Sequence, residues 1–443
     1  MTNRLLSVSV FFLLPILSTV MWARSASERA AEHIFQLSTT LACIQRSAPI
    51  ECQVVQFSKQ DLGHNVAYYK ALIKIGPGDY DVIGVNRLVR EARGAIPVHT
   101  VGSFFFIHGS SEDFHMAMIS LHGGLGVFLA ERNIDVWGID LRNVQIPVTV
   151  TDLSFAADWG LNVQIQDTLV ATRIVRWVRA LTGQGWGQII LGGHSSGATL
   201  TFAAANTEAV LSPKDRDIAA IIPIEIIYKL PPDATEQSDL SCGISEFYRE
   251  AVTSGVFFFD NIASIHMGQV AKTDPDGIST DGAPLTNLQY LMENAGGLWF
   301  AGIYPIHAFT VLRDSSGIAT QGRYSSTADI LETYIGQPVY PIPNAMDADM
   351  FGVSCFTIDT PYDDNLGQIK VPVLYIGAAG GFGKVAEYTM QLLGSSDITI
   401  IMMQVLSDAD AVNDFGHMEP FTASKSKQLV WQPMHAWIVA HSN

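Results

Sequence analysis

The chain has 443 residues, 48% of them hydrophobic and 16% charged, which is ample apolar surface for one or two cores and excludes a disordered or collagen-like polymer. Forty-three acidic residues against 26 basic ones give a formal charge of −17, which opposes binding to a nucleic-acid backbone or an anionic membrane surface. The length allows two or three domains, and one large α/β domain carrying an insertion fits the same arithmetic.

At the N-terminus, Arg4 precedes an apolar run from Leu5 to Ala23, after which Arg24-Ser25-Ala26-Ser27-Glu28 is abruptly polar. A charged start, an apolar centre and small residues near the break read as a cleavable export signal over 1–25, which implies a secreted or periplasmic protein. The alternative is an uncleaved membrane anchor, because the run approaches the length of a bilayer span, although Pro15 interrupts it. No later stretch is long and apolar enough to cross a membrane. The four cysteines, Cys43, Cys52, Cys242 and Cys355, lack metal-ligand spacing, and no metal site is expected. In an oxidising compartment Cys43 and Cys52 suit a small loop and Cys242 and Cys355 a long-range staple, but three pairings are open to four cysteines.

Segments 52–57, 68–75 and 81–89 carry β-formers between Gly, Pro and Asn breaks and predict antiparallel strands. From residue 103 the pattern changes to short, wholly apolar runs of the kind buried on both faces of a parallel sheet: 104–107, 134–139, 188–191, 218–227 and 371–376. Helical periodicity separates them at 114–132, 164–181 and 197–205. Strands alternating with helices predict a doubly wound, mostly parallel α/β sheet. The alternation lapses at 230–366, where residues 231–366 hold 18 acidic and 4 basic residues, and this segment reads as an inserted cap. A helix at 384–393, a strand at 398–405 and a helix at 424–440 then close the core. The expected division is thus a signal at 1–25, core at 26–229 and 367–443, and cap at 230–366.

The chemistry is concentrated in Gly193-His194-Ser195-Ser196-Gly197, a Gly-x-Ser-x-Gly pattern between a predicted strand and a predicted helix. Such a turn needs small residues on both sides because the backbone folds back closely, and it lifts the central hydroxyl above the sheet. Ser195, not Ser196, has the glycines at both flanking positions. The Gly-rich run Gly377–Gly383 is no phosphate loop, because Val385 stands where a Ser or Thr is required.

Taken with Phe104-Phe105-Phe106-Ile107-His108-Gly109-Ser110-Ser111, Trp137-Gly138-Ile139-Asp140-Leu141-Arg142 and Asp414-Phe415-Gly416-His417, this turn makes the chain resemble the α/β-hydrolase superfamily over nearly all of its exported length. The resemblance implies Ser195 as nucleophile, His417 as general base and no cofactor. It also implies an oxyanion hole built from the backbone N–H groups of Ser110 and Ser196. The family's frequent acid position after the strand at 371–376 holds no carboxylate. The favoured acid is therefore Glu225, alone in the apolar run 221–227, with Asp408, Asp410 and Asp414 as alternatives. Phe257, Phe258, Trp299, Phe300 and Tyr304 are candidate walls of a pocket for a small, apolar or uncharged ester. The expected function is an exported serine hydrolase, foremost a carboxylic-ester hydrolase. Alternatives are cleavage of a lactone, amide, thioester or carbon–carbon bond by the same residues, or a hydrolase-like binding protein without turnover.

Overall fold

The computed structural model describes residues 25–44, 52–92, 96–299 and 303–442. All but the last residue of the expected export signal, and Phe300 of the expected pocket, lie outside these.

The centre is one large sheet. Its strands are β1 (Gln53–Asp61), β2 (Val66–Lys74), β3 (Val82–Ala92), β4 (Gly102–Ile107), β5 (Ile134–Asp140), β6 (Ile189–His194), β7 (Ile218–Ile224), β8 (Val373–Ala378) and β9 (Ile398–Met403). They lie side by side in the order β1-β2-β3-β5-β4-β6-β7-β8-β9, and the short strand Ile96–Pro97 pairs with the end of β3. β1, β2, β3 and β5 are antiparallel neighbours, whereas every pairing from β5 through β4 to β9 is parallel.

Successive side chains of a strand point to opposite faces. In β4 this sends Phe105 and Ile107 into one hydrophobic cluster and Phe104 and Phe106 into the other, so both faces of the sheet are covered. That is why the central strands read as unbroken apolar runs. One face carries α1 (Ala26–Ile44), α2 (Leu161–Leu181) and α3 (Ser196–Ala209). The chain between β7 and β8 holds α4 (Thr235–Thr253), α5 (Ile262–Thr273), α6 (Asn287–Ala295), α7 (Thr327–Ile335) and α8 (Asn344–Ser354), and α9 (Gly383–Leu392) follows β8.

The structure pairs Cys43 with Cys52, joining the end of α1 to the start of β1, and Cys242 with Cys355, joining α4 to the residue after α8. Among the described residues no helix is long and apolar enough to cross a membrane.

Three expectations are corrected. The helix predicted over 114–132 is a π-turn Met116–Ser120, a 3-10 turn Leu121–Gly123 and a short helix Leu125–Ala130. His122, Gly123 and Gly124 all adopt positive φ there, which ends a right-handed helix whatever the apolar spacing. The strand expected to run to 227 stops at Ile224 because Glu225 also takes positive φ. The closing helix over 424–440 is a π-turn Lys427–Trp431 leading into a helix Gln432–Ala440.

Candidate active site

Ser195 sits between the end of β6 and the start of α3 with φ 54° and ψ −123°, a conformation costing a residue with a side chain about 1–3 kcal/mol. Close packing holds it. A Cβ on Gly193 would lie 2.3 Å from the Gly197 carbonyl oxygen, and one on Gly197 2.1 Å from that of Ile107. The Ser195 N–H donates to the Ile224 carbonyl at 3.0 Å, tying the turn to β7.

Glu225 follows β7 directly and is fully buried. Its Oε1 accepts the Ala378 N–H, and its Oε2 accepts the Phe382 N–H at 2.9 Å and faces His417 Nδ1 at 3.3 Å. Burial pushes the Glu225 carboxyl up to about 7, while the two N–H donors and the nearby His194 pull it down. Burial, and then the charge on His194, holds the His417 imidazole well below its ordinary range. A neutral His417 carries its proton on Nδ1, toward the carboxylate, and keeps the lone pair on Nε2 for a proton.

The other acid candidates bond elsewhere. Asp408 pairs with Lys384, and Asp410 accepts from the Ser407 hydroxyl at 2.7 Å. Asp414 accepts the N–H groups of Val405 and Leu406, each at 2.7 Å.

Ser195 and His417 line one cavity of about 300 Å3, together with Ser110. The Ser110 hydroxyl donates to that of Ser196 at 3.2 Å, which brings the two expected oxyanion residues side by side. Ser196 is the first residue of α3, where backbone N–H groups have no carbonyl of their own helix to bond and present partial positive charge.

Of the described pocket candidates, Trp299 lines this cavity, its ring centroid 5.4 Å from that of His417. The remainder of the set is engaged away from it. Tyr304 is buried with Leu230, Ile306 and Phe382 and bonds Ser241 and Gln237. Phe258 pairs with Pro343 and meets Trp159 edge-on, and the carbonyl of Phe257 accepts the Asn344 N–H. The apolar wall comes instead from Met116, Phe309, Tyr334 and Met418, with Ser264, Thr333 and Gln337 as polar points.

Two carboxylates near the site were missed in the sequence. Glu112, three residues beyond Gly109, accepts the Gly109 N–H at 2.8 Å and contacts His194 Nδ1 at 2.8 Å. Glu419 accepts the Gly416 N–H at 2.7 Å and also bonds Ser325, bracing the turn before His417. Its spacing from Gly416, like that of Glu112 from Gly109, is the one local signal available: an acid three residues after a turn glycine suits a side-chain bond to that N–H.

No family profile matches the sequence and no curated protein resembles it closely enough to count. Solved structures do match. A proposed lipase from Sulfolobus solfataricus superposes with a TM-score of 0.57 at 16% identity, over 87% of this chain and 99% of that one. A soluble variant of monoglyceride lipase from Saccharomyces cerevisiae matches at 13% identity with a TM-score of 0.41, over 90% and 97% of the two chains. At such identities the first likeness speaks for the fold alone.

Proposed function

We propose, from the α/β-hydrolase fold of this chain and the groups gathered at its strand ends, that the protein is an exported serine hydrolase cleaving carboxylic esters through an acyl-enzyme on Ser195. The observation that carries this reading is the strained Ser195 turn opening on the same cavity as a buried His417 whose Nδ1 faces Glu225.

In this reading His417 Nε2 takes the Ser195 proton as Oγ attacks the ester carbonyl. Glu225 holds the ring by its Nδ1–H and stabilises the imidazolium that forms. The N–H groups of Ser110 and Ser196 receive the oxyanion, each worth about 3 kcal/mol of barrier. His417 then returns the proton to the leaving alkoxide, and water repeats the sequence on the acyl-enzyme. Residues 230–366 act as the cap, since Ser264, Trp299, Thr333 and Tyr334 from that segment line the same cavity as Ser195. The charged groups on the wall, Glu112 and His194, pair with each other, which favours an uncharged substrate. The two disulfides support export, because such bonds persist in oxidising compartments.

A fluorophosphonate probe is expected to label Ser195 in the folded protein and fail on Ser195→Ala, and p-nitrophenyl esters of increasing chain length to be hydrolysed. Absence of both adduct and turnover would remove the enzyme reading.

A further inference from the structure

A second buried carboxylate and imidazole, Glu112 and His194, stand beside the groups just described; they are 4% and 0% exposed. Glu112 spans two elements: Oε2 accepts the Gly109 N–H at 2.8 Å, and Oε1 meets His194 Nδ1 at 2.8 Å. His194 Nε2 in turn lies 3.2 Å from the carbonyl oxygen of His417. Both ring nitrogens thus face acceptors, and a neutral imidazole has only one N–H to give. The His194 and His417 rings are in contact, centroids 4.5 Å apart and planes tilted by 30°.

We propose that Glu112 and His194 form a permanently ionised positioning pair, which clamps the His108-Gly109-Ser110 loop against the nucleophile turn and sets an imidazolium against the ring of His417. The part concerning turnover rests on the hydrolase reading given above. The clamp works through Gly109, whose N–H is fixed one residue before Ser110, and through His417, whose carbonyl is fixed by His194. A positive charge on His194 then opposes a second on His417, so the base stays unprotonated and ready to accept a proton. The ionisable groups acting on the two rings are Glu112 and Glu225, with His108 near Glu112. The carboxylates counterbalance the imidazolium: Glu112 and Glu225 raise the affinity of His194 for its proton against the effect of burial.

Glu112→Gln keeps the shape but removes the counter-ion, so burial drives His194 neutral; the amide oxygen can still accept the Gly109 N–H, and the amide N–H can donate to the lone pair of an unprotonated Nδ1. The His417–Glu225 pair then takes up a proton more readily, because both members lose the positive charge on His194, and for His417 this outweighs the loss of the Glu112 negative charge, which acts on it more weakly and in the opposite sense.

The test is a 15N-imidazole NMR titration of the full chain, with kinetics on p-nitrophenyl esters alongside. In the wild type His194 is expected to keep both ring N–H groups at pH 8. In Glu112→Gln it is expected to lose one by pH 7, and the protonation midpoint of the His417–Glu225 pair to rise by about one pH unit. The acid limb of kcat/KM should move up with it, and kcat at pH 8 should fall about 10-fold to 100-fold with KM within about two-fold. A neutral His194 in the wild type overturns the proposal, and so does an unmoved midpoint in the variant. Lower stability or kcat with an unmoved midpoint marks Glu112 as a structural brace only. If Glu112→Gln does not fold, His194→Gln read in the same way decides: an unmoved midpoint overturns the proposal. The NMR readout needs no turnover, so failure of the hydrolase reading would show separately as a wild type with no ester cleavage and no fluorophosphonate adduct.

Discussion

Ser195 and Glu225 hold matching positions on neighbouring strands: each is the first residue past its strand's C-terminal end, and their φ angles are 54° and 55°. Each N–H donates to the carbonyl at the last rung its own strand pairs with the adjoining one, Ser195 to Ile224 at 3.0 Å and Glu225 to Ile376 at 2.9 Å. Parallel strands end together at one edge, so two such bends side by side turn an alcohol and a carboxylate into the crevice above that edge. The loop bearing His417 closes over both.

Glu225→Gln is expected to lower kcat about 10^3-fold to 10^4-fold while the protein stays folded. The amide can still accept a hydrogen bond but cannot stabilise an imidazolium. Ester kinetics with circular dichroism check this, and near-normal turnover would move the acid role away from Glu225.

Gly381→Ala tests whether the carboxylate must sit where it does. A Cβ there would lie 2.1 Å from Glu225 Oε2 and 3.2 Å from the backbone nitrogen of His417. The carboxylate must shift, so stability is expected to fall by about 1–3 kcal/mol and kcat by at least about 100-fold. Urea denaturation and steady-state kinetics on the same preparation read both effects.

Asp347 in α8 is fully buried with Oδ1 unpartnered among the described residues, and burial raises its carboxyl from 3.8 to about 7. The folded protein therefore keeps a proton that the unfolded chain has released, and this stability is lost as pH rises from about 4 to about 7. Asp347→Asn should leave stability at pH 4 little changed and raise it at pH 8 by up to about 4 kcal/mol, measured by denaturant unfolding. Equal stability of the two proteins at pH 8 would refute this.

The Cys242–Cys355 bond closes a loop with a sequence separation of 113 between α4 and the end of α8. Replacing both cysteines with serine should cost about 2–4 kcal/mol, seen as a urea midpoint below that of the oxidised wild type, with Cys43–Cys52 intact in both proteins. A midpoint equal to that of the oxidised wild type would show that the helices need no covalent tie.

Much of this architecture is legible in short stretches of sequence. The Gly193-x-Ser195-x-Gly197 spacing encodes a tight strand-to-helix turn, because only missing side chains let Gly193 and Gly197 approach each other and β4. Unbroken apolar runs announce strands covered on both faces. Glu225 stood out as one carboxylate in an apolar segment, a conflict that needs a partner.

Other features follow from packing or from signals that the apolar pattern does not carry. The apolar spacing of 114–132 suits a helix, yet tertiary packing imposes positive φ at His122 and Gly124. The helix α1 and the five helices between β7 and β8 were not anticipated, although α1 contains no Gly or Pro and two of the five open on capping boxes at Thr286 and Ser326. Which aromatic faces the cavity depends on how that segment docks, so Trp299 does and Tyr304 does not.

Local backbone chemistry thus decided the turns, the strand runs and the residue types able to react, because steric limits act between near neighbours. Folding in three dimensions decided the meetings: His417 with Glu225 across 192 residues, Glu112 with His194 across 82, and which cysteines join. Those contacts follow from the order in which strands pair, and residues far apart along a chain exert no force on each other until the sheet brings them within bonding distance.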